Sequence, residues 1–304
     1  MNLYHYCSNR SFALTVQSKK LHLSLLTLSN DSHEGKHVRS VLEAVLNDAI
    51  VENGTLPRGL FGMGFGVPTL KQRIIDEVNS ICDVFSAVGY CLSQQGDLLS
   101  QWRGYADDAT GVAIGFDLES LNKMLAAQPP QGYRINLAQV VYKLEDAKAL
   151  LRPIADHLLK LAQDGKFDPP RRGTLLTPMT PEETAEEDKR FELNVRERFF
   201  AILPIAGQMF STKNAFFKEE EEWRMLAIML NGPGMHDLEH CQFRYGHDRI
   251  VPYLEFPASG LTRSAITEVV LGPKHQTPPE IVESFLRSEG FDRAKVRRST
   301  GTYR

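Results

Sequence analysis

Apolar and polar positions along this chain switch between a period near two and a period near 3.6, and each switch marks an element. Leu3 to Tyr6 (LYHY) is a short aromatic strand, Ser11 to Ser18 reads as a helix, and a brief strand follows around Leu21 to Leu23. Val38, Val41, Leu42, Val45, Leu46, Ala49 and Ile50 then trace one face of an amphipathic helix. Leu70, Ile74, Ile75, Val78 and Ile81 trace a second, and VFSAVGYCLS is a strand ending near Ser93. Leu98, Trp102 and Tyr105 fall at i, i+4 and i+7, one face of a short helix. GVAIGF is a strand whose glycines permit close backbone approach. A short helix near Leu118 to Ala127, a strand around Ile135 to Tyr142 and a helix from about Asp146 to Gln163 come next. Beyond them lie a helix through KRFELNVRERFFAIL, strands CQFRY and AITEVVLGP, a helix from about Pro279 to Ser288, and a final strand in AKVRR.

Two stretches break the periodicity. Asn30 and Asp31 in SNDSHE favour a turn, with Asp31 or Ser32 as a cap for the helix that follows. GTLPRGLFGMGFGVP, Gly54 to Pro68, spaces its glycines as GxGxG with no strand ahead of it, which does not meet the dinucleotide fingerprint. The proline- and threonine-rich residues 164–184 read as a flexible insertion in an otherwise single domain spanning 1–304.

Composition narrows the class. At 304 residues the chain is long enough to bury a core without metal or disulfide support. Its 42% hydrophobic and 24% charged residues are those of a globular protein, and a formal net charge of −3 argues against a general nucleic-acid coat. Cys7, Cys82, Cys91 and Cys241 are scattered with no CxxC pair, the pattern of reduced thiols in a cytoplasmic protein. The first residues lack a hydrophobic signal core, and no apolar run approaches the length of a membrane span, so no membrane partner is expected.

The densest chemistry lies in STKNAFFKEEEEWRMLAIML, Ser211 to Leu230. Four consecutive glutamates, Glu219 to Glu222, run directly into an apolar segment that reads as a buried strand. On a strand, Glu220, Glu222 and Arg224 share one face, with Glu221 and Trp223 on the other. Two such carboxylates at an effective dielectric near 20 repel by roughly 2 kcal/mol, enough to move one pKa unless Arg224 or a lysine compensates. A metal is not expected. His236 to His240 spell HxxEH, but the segment leaves barely one turn before the next strand and nominates no third ligand.

LYHYCS, SND..E, LSQWRGYADDATGVAIGFD, Lys213…Phe217..Glu220-x-Glu222-Trp223-Arg224, the VVLGP turn and Ser299…Tyr303-Arg304 occur in one order. Together they resemble the bacterial family catalogued as domain of unknown function 2971, with Cys7 in place of its usual threonine and Phe217 in place of its usual tryptophan. The resemblance groups His5, Asn30, Asp31, Glu34, Trp102, Arg103, Tyr105, Lys213, Glu220, Glu222 and Arg224. More distantly, it resembles the ADP-ribosyltransferase superfamily. That likeness implies an α+β fold with a mixed, split sheet flanked by amphipathic helices, and NAD as substrate. It assigns Glu222 to stabilising the cationic sugar of the transition state and Glu220 to orienting or deprotonating an unknown acceptor. His5, with Tyr6 and Arg103, is assigned to NAD, and Trp102 or Tyr105 to stacking on one of its rings. The resemblance to the bacterial family of unknown function implies a role in phage defence or as a toxin, and with it a neutralising partner protein. The alternatives are a nuclease in which Glu34, Glu220 and Glu222 gather a divalent ion, and a binding module whose cleft is lined by Arg103, Lys213, Arg224 and the terminal arginines.

Overall fold

The computed structural model describes residues 1–28, 37–52, 69–129, 132–232, 235–245 and 249–303. Asn30, Asp31, Glu34, Arg304 and the Gly54 to Pro68 loop lie outside the described residues. The chain divides into two compact units: Met1–Ser32, Ser86–Val140 and Lys213–Arg304 form one, and His33–Phe85 with Val141–Thr212 form the other. The sequence reading of one domain did not separate them, because each unit is assembled from interrupted stretches of chain.

The first unit carries the strands β1 (Asn2–Cys7), β2 (Leu21–Leu25), β3 (Phe85–Ser93), β4 (Val112–Asp117), β5 (Asn136–Gln139), β6 (Glu222–Gly232), β7 (Met235–His236), β8 (Gln242–Tyr245), β9 (Ile250–Phe256), β10 (Ile266–Leu271) and β11 (Lys295–Arg298). They build one mixed, open sheet in the order β11-β10-β4-β1-β3-β2-β9-β8, with β6 joining β3, β5 and β7. A strand has two edges, yet β3 has three partners among the described residues, so the sheet forks there. β1 meets β3 at Tyr4↔Ser93, whereas β2 meets it at Ser24↔Gly89 and Leu25↔Val88. β10 and β11 pair in parallel; β4 lies antiparallel between β1 and β10. The α+β class read from the sequence is the one observed.

Helices α1 (Asn9–Ser18), α4 (Leu99–Tyr105), α5 (Leu118–Ala126) and α9 (Pro279–Ser288) belong to this unit. Ser8 caps α1 by accepting from Ser11 N at 3.1 Å, and Phe12, Thr15 and Val16 form its buried face. Asp117 caps α5 through Ser120 N at 2.8 Å. Where α4 turns into β4, Gly111 packs so closely that a Cβ there would lie 2.2 Å from the Cys7 carbonyl oxygen. The backbone approach expected from that glycine is therefore real. Leu3, Cys7, Val88, Tyr90, Leu92, Ile114, Met225, Ala227 and Met229 fill the apolar core on one face of the sheet. Tyr6, Trp102, Ala106, Ala113 and Val270 fill a smaller one.

The second unit is helical: α2 (His37–Glu52), α3 (Leu70–Cys82), α6 (Leu144–Gln163), α7 (Pro181–Ile202) and α8 (Pro204–Met209). α7 opens with a capping box, Thr180 accepting from Glu183 N while Glu183 accepts from Thr180 N, and Pro181 in the first turn. The 164–184 stretch is anchored at both ends. Phe167 is buried beneath the Arg198 guanidinium, and Arg171 N donates to Glu187 Oε1 at 2.6 Å. Phe167 and the capping box attach its two ends to the helical unit, whereas residues 171–178 between them are exposed. No helix among the described residues is long and apolar enough to cross a membrane.

Candidate functional site

Four charged side chains of the sheet unit converge at the start of β6. Lys213, Glu220, Glu222 and Arg224 are all buried, Arg224 to 2% exposure. Lys213 Nζ donates to Glu220 Oε2 at 2.7 Å and to Glu222 Oε2 at 3.2 Å. Arg224 donates from Nε to Glu222 Oε1 at 2.8 Å and from Nη2 to Glu222 Oε2 at 3.0 Å. The Cys91 thiol is a further hydrogen-bond partner of Glu222. Phe217 covers the ammonium, with Lys213 Nζ 4.5 Å from its ring centre.

The two carboxylates are therefore unlike. Glu222 is engaged on both oxygens. Glu220 is engaged through Oε2, and its Oε1 takes no hydrogen bond from a described residue. Burial raises the Glu220 carboxyl above its ordinary value, and the pull of Lys213 does not fully reverse it. Burial also works to raise Glu222, but Arg224, Lys213 and Cys91 more than reverse this and hold it low. Burial works to lower Lys213, and the two glutamates prevail and raise it, so it stays ammonium.

The path between the glutamates is not the strand that the sequence predicted. Ala215–Glu220 is a 3-10 helix whose first turn is capped by Asn214, accepting from Phe216 N at 2.9 Å. Glu221 then adopts a left-handed conformation, φ 42°, and β6 begins only at Glu222. Glu220 and Glu222 thus meet across Lys213, not by alternation along one strand. The turn is fixed by the end of β3. Ser93 Oγ donates to Glu220 O at 2.7 Å, Gln94 N to Glu221 O at 3.1 Å, and Gln95 Nε2 to Glu221 Oε2 at 2.7 Å. Neither Cys91 nor Ser93 was singled out in the sequence. The polar run directly after an apolar strand, Ser93 to Asp97, was the available signal.

Tyr105 is the aromatic that joins this cluster. It is 41% exposed, and partial burial together with Glu220 raises its phenol, so it remains a neutral hydroxyl. The other predicted NAD contacts behave differently. Trp102 is 1% exposed, packed edge-on to Tyr6 at 4.7 Å, and donates Nε1–H to Asp97 Oδ1 at 2.8 Å. Tyr6 donates to Gln95 O at 2.7 Å and accepts from Leu98 N. Both are core anchors with no ring face open to a ligand. Asp97 also accepts from Ser299 and Thr300, tying the chain end to α4. Arg103 is exposed and lies 5.9 Å from the Tyr303 ring centre.

His5 does not reach the cluster. Where β1 leaves the ladder after Tyr4↔Ser93, its Nδ1–H donates to the Cys91 carbonyl at 2.8 Å, and its ring stacks on Tyr90 at 3.9 Å. Burial lowers its pKa to about 4, so it is neutral at pH 7. Tyr90 and Cys91 are neighbours on β3 and point to opposite faces. His5 goes with Tyr90, and Glu222 goes with the Cys91 thiol. The alignment of His5 with Glu222 in one cleft is thus corrected: His5 splints the fork in the sheet.

Among the described residues no three His, Cys, Asp or Glu side chains gather as metal ligands, and Asp237–His240 form a single 3-10 turn. The Glu222 oxygens already face an ammonium and a guanidinium, which occupy the positions a hard cation would need.

Fold and site together define an α+β protein with a forked mixed sheet and a buried cluster of two carboxylates and two cations beside an exposed tyrosine. Residues 101–225 match the family described as a protein of unknown function, DUF2971. The family resemblance read from the sequence is supported over that segment, which contains Trp102, Tyr105, Lys213, Glu220, Glu222 and Arg224. No curated protein and no solved structure matches the chain.

Proposed function

We propose that this protein cleaves the nicotinamide–ribose bond of NAD and transfers ADP-ribose to an acceptor, with Glu220 as the working carboxylate. The observation that carries the reading is the Glu220 Oε1, which accepts no hydrogen bond from the described residues, in a cluster whose second carboxylate is held by Arg224 and Lys213 and whose neighbour is the exposed Tyr105. The four charges of the cluster cancel. What a substrate meets is therefore set by whichever group stands nearest, and Glu220 is the one with a lone pair to offer.

In this chemistry the C–N bond breaks with its electron pair going to the nicotinamide nitrogen, which leaves neutral and needs no acid. The ribosyl cation is stabilised by the Glu220 carboxylate, the acceptor forms the new bond to the sugar carbon, and its proton passes to Glu220. Two carboxylates whose environments move their pKa values apart suit such a division of labour. Glu222 positions Lys213, and Lys213 orients Glu220. The exposed Tyr105 ring offers a wall for the substrate. His5, Tyr6 and Trp102 take no part. A divalent-ion nuclease is the weaker reading because of the cations already paired with Glu222.

The test is nicotinamide release from NAD, with and without cell extract as acceptor. Glu220→Gln is expected to lower the rate about 100- to 1,000-fold, the usual cost of one well-placed electrostatic group, with little loss of stability. Absence of release from the wild type in every condition, or a near-normal rate for Glu220→Gln, would overturn the proposal.

A further inference from the structure

The sheet unit holds a cleft of about 570 Å³ between α5 and the connection that follows β9. Its floor is apolar: Met124, Ile135 and Phe256 are all buried core residues, and Tyr133 forms one wall. Its rim carries the hydroxyls of Ser120, Ser259, Thr262 and Ser264.

Both walls are fixed in place. The Gln128 side chain donates to Leu125 O at 2.9 Å and Ile135 O at 2.7 Å and accepts from Ile135 N at 2.9 Å, fastening the 133–135 segment to the end of α5. On the other side Lys20 Nζ donates to Pro257 O at 2.7 Å and to Ala258 O, and Leu261 N donates to Lys19 O at 2.7 Å. A cavity of this volume, with an apolar floor, a few polar groups and walls held by their own hydrogen bonds, has the attributes of a preformed small-molecule site.

The charges on the lining define what it accepts. Lys123 is paired with Glu119 at 2.6 Å, and Glu255 lies 3.8 Å from His22. What the cleft offers is aromatic and aliphatic surface ringed by hydroxyls. We infer that it binds an uncharged, hydroxylated ring compound of nucleoside size, the flat ring against Tyr133 and Phe256 and the hydroxyls against the serine and threonine rim. Ile135 and Phe256 belong to the core shared with Met225 and Ala227, whereas Glu222 and Arg224 alternate to the opposite face of β6. The site is separate from the charged cluster and does not depend on the reaction assigned to it.

The experiment is a ligand-observed NMR titration of the full chain with adenosine and, in parallel, AMP. Adenosine should saturate, with AMP binding at least about tenfold more weakly because Glu255 on the lining stands beside a His22 that burial disfavours from protonating, while Lys123 extends into solvent in a surface pair. Ala127→Trp places a large ring in the cleft from an exposed position at the end of α5, and Ser120→Tyr fills it from the other end of that helix; each should weaken adenosine at least about tenfold. The two variants are independent, so a folding defect in one leaves the other decisive. No saturation by adenosine, AMP binding as tight as adenosine, or affinity unchanged in the folded filling variants would overturn the inference.

Discussion

Each unit of this protein buries an arginine, and the two are used differently. In the helical unit, Arg198 is 5% exposed and lies between Phe167 and Phe191, 5.2 and 5.6 Å from their ring centres. It donates to Glu77 Oε1 at 2.6 Å and to the Lys166 carbonyl. Its surroundings are rings, one carboxylate and a backbone oxygen, and it knits α3, α7 and the 164–184 segment together. In the sheet unit, Arg224 holds Glu222 from Nε and Nη2, Lys213 bridges to Glu220, and one Glu220 oxygen takes no hydrogen bond from the described residues. Burial of charge is expensive in both places. In the first it is compensated by packing; in the second it maintains two carboxylates with opposed proton affinities.

The comparison breaks most readily under substitution of its central partners. Arg198→Ala and Glu222→Gln should each destabilise by about 3–5 kcal/mol, read by urea denaturation, because each strands buried charge. With Arg224 and Lys213 both depending on Glu222, its charge is structural. The pairs should then part company. Replacing both Arg198 and Glu77 by apolar residues of similar size should recover most of the stability, less the hydrogen bond to the Lys166 carbonyl, since no reacting group depends on them. The double change Glu222→Gln with Arg224→Met, even if it folds, should not restore NAD cleavage. Recovery of that activity would remove the distinction between the two sites.

A smaller effect sharpens the contrast within the cluster. The folded pKa of Glu220 is raised above 4.5, so its contribution is present at low pH and is lost as pH rises through the folded value. That of Glu222 is depressed below 4.5, so its contribution is present at higher pH and is lost as pH falls through the folded value. The stability of Glu220→Gln relative to wild type should therefore improve on going from about pH 4 to pH 7, while the deficit of Glu222→Gln should shrink below about pH 4. Parallel pH profiles for the two variants would show that the carboxylates are equivalent.

The smallest effect belongs to the tip of the 164–184 segment. Leu175 and Leu176 are 104% and 93% exposed, on a turn closed by Thr174 N donating to Thr177 O at 3.0 Å. Serine at either position should change stability by less than about 0.5 kcal/mol, whereas Phe167→Ala in the same segment should cost about 3–5 kcal/mol by leaving a cavity. Equal losses would mean that the segment is uniform, with no anchored base and free tip.

Much of the framework was legible because it obeys local rules. The helical spacing around Val38 and Leu70, the Gly-flanked β4 strand and the terminal helix from Pro279 to Ser288 stand close to where periodicity placed them. β9 was not read, since Pro252 interrupts its strand pattern; it pairs with β8 there, opposite Phe243. The composition of the cluster was legible, and its geometry was not. Nothing in a run of glutamates announces that Glu220 closes a 3-10 helix or that Glu221 turns through a left-handed conformation that non-glycine residues seldom adopt. His5 was misplaced for the same reason: residue order gives the strand, while the fork in the sheet decides which face the side chain takes.

The position of β4 has a practical bearing on how this chain is cloned. The matched stretch 101–225 contains β4 yet omits both strands that pair with it, β1 and β10, and it ends four residues into β6. Expressed by itself, that stretch would present β4, buried along nearly its whole length in the intact protein, with two bare edges. The matched range is not a unit of expression; a gene trimmed to those limits should yield inclusion bodies.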